Sequence, residues 1–149
     1  MSKMLVMLQT LATLSTGLFA GAALYISLVE HPVRTVLETQ AAAAQWAPSY
    51  KRATWMQAPL AIIGLLTGAL ACFLGGGISW LIGALLIGSV VPVTFMIIMP
   101  TNQKLLESGR DLSSLETRSL LDKWGTLHLL RTALSLIAFV IFAWLPNGA

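Results

Sequence analysis

Two histidines, one arginine and one amide are the side chains of this sequence best suited to chemistry. His31 lies between Glu30 and Pro32, and His128 lies in a run holding Trp124, Arg131 and Ser135. Spacings of four, three and four residues put Trp124, His128, Arg131 and Ser135 on one face of a helix. An imidazole titrates near neutral pH and can act as a general base, and the Glu30 carboxylate would modulate His31. A guanidinium this close to hydrocarbon has three uses: snorkelling to the boundary, pairing with a carboxylate such as Glu30, or holding the oxyanion of a substrate. Asn102, just after Pro100 and Thr101, can donate to a carbonyl or phenolate oxygen, or cap the helix that follows. Either histidine can equally be a helix-end anchor.

Glu30, His31 and His128 are also the ligand types of a non-haem iron, copper or zinc site, and two histidines could form a haem axis. No short ligand spacing supports such a site, and the adjacent Glu30 and His31 point different ways on a regular helix. Chemistry without a cofactor is therefore the leading expectation, with iron, copper or haem as the alternative. The single cysteine, Cys72, rules out an intramolecular disulfide, a Cys-x-x-Cys redox pair and a thiolate-rich metal site.

The elements that must position these groups are membrane helices. Of 149 residues 56% are hydrophobic and 10% charged, with a mean hydropathy of +0.79, whereas soluble domains carry about a quarter charged residues. A hydrocarbon core of about 30 Å needs roughly 20 apolar residues in a helix, and four runs supply them at about 5–29, 57–74, 78–99 and 127–145. The first is too long for the apolar part of a signal peptide. The expected fold is all-α, one integral membrane domain over 1–149: a four-transmembrane-helix bundle of antiparallel spans. Gly75, Gly76 and Gly77 form a tight turn between spans two and three. Gly17 with Gly21, and Gly64 with Gly68, permit close helix approach within the bundle or at a homo-oligomer face. Pro92 should kink span three.

Arg34, Lys51, Arg52, Lys104, Arg110, Arg118 and Lys123 fall in the two long loops, as do all six acidic residues. The positive-inside rule then places both loops in the cytoplasm and both termini on the other side. That placement accounts for the net charge of +3 and the isoelectric point near 9.4, and no nucleic-acid motif is present. Residues 33–56, with Trp46, Tyr50 and Trp55 suited to the headgroup boundary, form an expected interfacial cover. Residues 102–123 read as short amphipathic helices. At the cytoplasmic level the ends of the spans bring His31, Trp55, Asn102 and His128 together.

Taken in order, Gly17, Gly21 and Tyr25 before Glu30-His31-Pro32; Trp46, Tyr50, Lys51 and Arg52; Pro92, Thr94, Asn102 and Leu105; and Trp124, Gly125, His128, Arg131 and Thr132 resemble the anthrone oxygenase-like membrane family, also described as a domain family of unknown function. The resemblance runs along almost the whole chain. It implies a four-span helical protein, and characterised fungal relatives look like enzymes that oxidise a polyketide anthrone to an anthraquinone with dioxygen. The site residues it implies are His31, Asn102, His128 and Arg131, with Glu30, Trp46, Tyr50, Trp55 and Trp124 around the substrate. The expected partners are a hydrophobic small molecule, dioxygen and membrane lipid, and the expected location is a bacterial inner membrane. The competing class is a non-enzymatic membrane protein that binds a lipid, quinone or haem, or assists assembly of a membrane complex.

Overall fold

The computed structural model describes residues 2–144, so Leu145 at the end of the expected fourth span lies outside the described residues. Among them the regular structure is entirely helical, in four helices long and apolar enough to cross a membrane: α1 (Lys3–Thr35), α2 (Thr39–Gly76), α3 (Ile78–Leu105) and α4 (Leu115–Trp144). Each packs on the next, and α4 returns against α1, which closes an up-down-up-down ring. The chain is an integral membrane protein with an all-α, four-span bundle.

Four span boundaries expected from sequence, at 29, 57, 99 and 127, fall well short of the helix ends at Thr35, Thr39, Leu105 and Leu115. Pro32 and Pro100 read as stops, because a proline ring clashes with the carbonyl four residues back. Instead α1 and α3 each widen into a π-helical turn, at Ile26–Glu30 and Thr94–Ile98, two residues before the proline. The His31 and Met99 amides bond five residues back, to Ile26 and Thr94, so the axis continues. Residues 33–56 do not lie on the membrane as a separate cover. Ala41 to Ala44 favour helix, and from Thr39 onward the chain is already α2. At about 1.5 Å per residue α2 is longer than the bilayer core is thick and projects beyond its polar boundary. The stretch 102–123 likewise splits into the end of α3, a loop, and the start of α4.

The turn between α2 and α3 depends on Gly75 (φ 90°) and Gly77 (φ 94°), a backbone region that other residues enter at a cost. At the opposite end Arg118 of α4 ties α1 to α2. Its guanidinium donates to the Thr35 carbonyl (3.1 Å), the Leu37 carbonyl and Thr39 Oγ1 (3.0 Å), satisfying carbonyls that a helix end leaves free.

Two apolar clusters divide the bundle. In the half near the glycine turn, Trp80 stacks on Phe142 with centroids 5.0 Å apart, and Phe142 lies where Cβ atoms on Gly68 and Gly83 would be. In the other half Trp46, Trp124, Ile98, Leu105 and Leu121 pack together, and that half holds the polar groups.

Candidate functional site

The inward face of α2 carries Trp46, Tyr50, Gln57 and Ala61, at spacings of four, seven and four that return to one side of a helix. Trp55 is nine residues from Trp46, two and a half turns on. It is therefore directed outward, 84% exposed, and the expectation that it lines the pocket is corrected by that phase. Beside Lys51 and Arg52 it suits the headgroup boundary.

Inside, five rings form one stack of contacts. Tyr50 lies flat on Trp46 (5.1 Å, 4°), Trp46 meets Trp124 edge-on (5.8 Å), and Trp124 touches both His31 (5.4 Å) and His128 (4.9 Å). Gly125 admits His31 to this stack, since a Cβ there would overlap the imidazole. The sequence expectation that the two histidines meet at one level agrees with this arrangement.

The histidines differ in what their nitrogens do. Arg34, 2% exposed, donates toward His31 Nδ1 (3.4 Å), so the His31 proton belongs on Nε2, the edge that lies against Gly125. His128 Nδ1 is 3.1 Å from Ser27 Oγ, Ser27 Oγ is 2.8 Å from Thr132 Oγ1, and Thr132 donates to the Ala23 and His128 carbonyls (both 3.2 Å). Where Thr132 gives its proton to these carbonyls, it accepts from Ser27, and Ser27 accepts from His128 Nδ1–H. That tautomer of His128 carries its lone pair on Nε2, the form a general base requires.

Glu30 accepts from Arg34 Nη2, Ser49 Oγ and Gln45 Nε2 (3.2 Å for the last), and Arg34 Nε donates to Gln45. Its ion pair is thus with Arg34, so pairing with Glu30, one of the three uses open to Arg131, is not the one taken. Glu30 reaches His31 through Arg34, which bonds to both. Among the described residues no group of three or more His, Cys, Asp or Glu side chains is placed to hold a metal ion, so the two-histidine, one-carboxylate set is not assembled.

Arg131 is eight residues beyond the exposed Lys123, about 12 Å further along the helix, and 8% exposed. Nη2 donates to Gln57 Oε1 (2.9 Å), its one side-chain hydrogen bond, and the guanidinium lies 5.4 Å from the Phe19 ring. Arg131 also lines a cavity of about 260 Å³ between α2 and α3. The other walls are Phe19, Tyr50, Ala61 and Val90 inside, and Ala58, Ile62, Thr94 and Phe95 toward the rim. Ala58, Ile62 and Phe95 are exposed on membrane helices, so the mouth faces lipid. Neither histidine nor Asn102 lines this cavity. Asn102 is 1% exposed, and both its amide atoms lack a hydrogen-bond partner.

Arg34, Gln45, Ser49, Ser27, Thr132 and Gln57 are the polar participants that sequence reasoning missed. Gln57 had a signal, a lone amide two turns after Tyr50 in an apolar run. No curated protein and no solved structure matches the chain. A family model described as anthrone oxygenase matches residues 46–141, a stretch that includes Trp46, Tyr50, Gln57, Asn102, Trp124, His128 and Arg131. With more than half its length so matched, the chain belongs to the anthrone oxygenase family.

Proposed function

We propose that this protein oxidises a hydrophobic fused aromatic ketone of the anthrone type with dioxygen, without a metal or haem. The observation that carries the reading is the lipid-facing apolar cavity with Arg131 as its only charged wall. A flat ketone partitions into the bilayer and enters between α2 and α3, and the carbonyl oxygen takes hydrogen bonds from Arg131. Removal of the benzylic proton gives an enolate whose charge gathers on that oxygen, where a fixed donor in a dry site helps most.

His128 Nε2 is the proton acceptor in this reading. The imidazole does not line the cavity, and the transfer is given to the Tyr50 hydroxyl, since Tyr50 is the one ring of the stack that does. The enolate gives one electron to dioxygen, the two radicals join as a peroxide anion at the benzylic carbon, which takes back the proton held by His128 to become a hydroperoxide, and loss of water with the remaining benzylic hydrogen leaves a second carbonyl. One ketone and one dioxygen thus become one quinone and one water. Trp124, with His31 against it, supports the Trp46 side of the wall, and the loops face the cytoplasm of a bacterial inner membrane.

Oxygen uptake by the detergent-purified protein with anthrone itself tests the reading. Uptake is expected to match quinone formed one to one. His128→Ala should lower turnover by about 10²–10⁴-fold and Arg131→Gln by about 10²–10³-fold. Tyr50→Phe should slow turnover with little change in KM, as loss of a relay would. No anthrone-dependent uptake by folded protein, or full turnover in His128→Ala, would overturn it. Elemental mass spectrometry on the same sample decides the cofactor question: stoichiometric iron or copper would sink the metal-free route.

A further inference from the structure

Arg131 is a buried cation with no anion of its own. Among the described residues none of the six carboxylates makes an ion pair with it; those ion pairs involve Glu30, Glu107 and Glu116 with Arg34 and Arg110. Its partner is the neutral amide of Gln57, itself 1% exposed. Two donors at this point remain unpaired and buried, Arg131 Nε and Gln57 Nε2. The Gln57 amide has spent its oxygen on the guanidinium, so the atoms that this pair leaves over are donors only. A buried charge left in this way calls for a counter-ion, and the cavity beside it is otherwise uncharged and mainly apolar, with Tyr50, Thr54 and Thr94 as its other polar walls.

We propose that the cavity selects its occupant by charge, taking flat hydrophobic molecules as oxyanions (enolate, phenolate or carboxylate), and that Gln57 sets this preference. Gln57 is a positioning residue: it aims Arg131 without neutralising it. A glutamate of nearly the same shape would form an internal ion pair and leave nothing for a ligand anion to satisfy. The inference rests on the reading of this cavity as the ligand site, and on no step of oxygen chemistry.

The probes are 2-anthracenecarboxylate and its neutral carboxamide, equal in ring size, with binding followed by energy transfer from tryptophan in detergent micelles. The wild-type protein is expected to bind the carboxylate at least about tenfold more tightly than the carboxamide. Gln57→Glu should bring that ratio close to one while the carboxamide still binds. Gln57→Met, which removes the amide and adds no charge, should keep the preference for the carboxylate with weaker binding overall. Equal affinities in the wild-type protein, no binding of either probe, or an unchanged ratio in folded Gln57→Glu would each overturn the proposal. Because no turnover is read, charge selectivity without oxygen uptake would defeat the oxidation reading alone, and oxygen uptake without charge selectivity would defeat this one alone.

Discussion

Adding a single carbon at Gly125 would drive it into the imidazole of His31. Glycine in a helix interior is worth up to about 1 kcal/mol less than alanine, whereas overpacking costs about 1–3 kcal/mol, so the sign of the change is diagnostic. Gly125→Ala should lower the thermal unfolding midpoint in detergent. Gly21→Ala, whose Cβ would have nothing within 4 Å, should leave it unchanged or raise it. Arg131 makes a second test at this scale. An arginine at the centre of a membrane helix costs about 2.5–3.5 kcal/mol on insertion scales, and the Gln57 bond offsets only part of that. Gln57→Leu alone removes the guanidinium's one side-chain hydrogen bond and should destabilise. Gln57→Leu combined with Arg131→Met should be more stable than the wild-type protein and bind no anthracenecarboxylate, as urea or thermal unfolding and the binding assay would read together. The site residues on α4 were legible because they repeat at helical spacing. Arg34 was not, because Pro32 made it look like a loop charge, and the Glu30–Arg34–Gln45 network depends on a contact between α1 and α2 that no local pattern encodes.

At the scale of elements, four apolar runs of sufficient length made the number and type of helices readable. Their ends were hidden by the two prolines. A π-helical turn shifts the hydrogen-bond register by one residue and carries each helix past its proline, and Arg118 of α4 then clamps the end of α1. That clamp gives a prediction. Arg118→Ala should destabilise the protein by about 1.5–3 kcal/mol, the range for hydrogen bonds to a charged group, and should speed amide exchange around residues 35–39. Arg118→Lys should not restore protection, because a compact ammonium lacks the fork that reaches the Thr35 and Leu37 carbonyls and Thr39 Oγ1 together. Protection equal to wild type in Arg118→Lys would mean that charge alone holds the turn.

The whole molecule has a packing half and a site half, and the orientation expected from the positive-inside rule, with the site half toward the cytoplasm, can be tested directly. With Cys72 replaced by serine, a cysteine at Ser108 in the loop between α3 and α4 should react with a membrane-impermeant maleimide only after spheroplasts are opened. One at Ser2 should react in intact spheroplasts, and the reverse pattern would mean the inverted orientation. The rim of the cavity adds a kinetic consequence. Since Ala58, Ile62 and Phe95 open it sideways between α2 and α3, a ligand of the proposed kind would be drawn from the two-dimensional lipid phase and not from bulk solution. Rates should then follow the mole fraction of ligand among surrounding amphiphiles, so that adding empty micelles at constant total ligand slows the reaction by surface dilution.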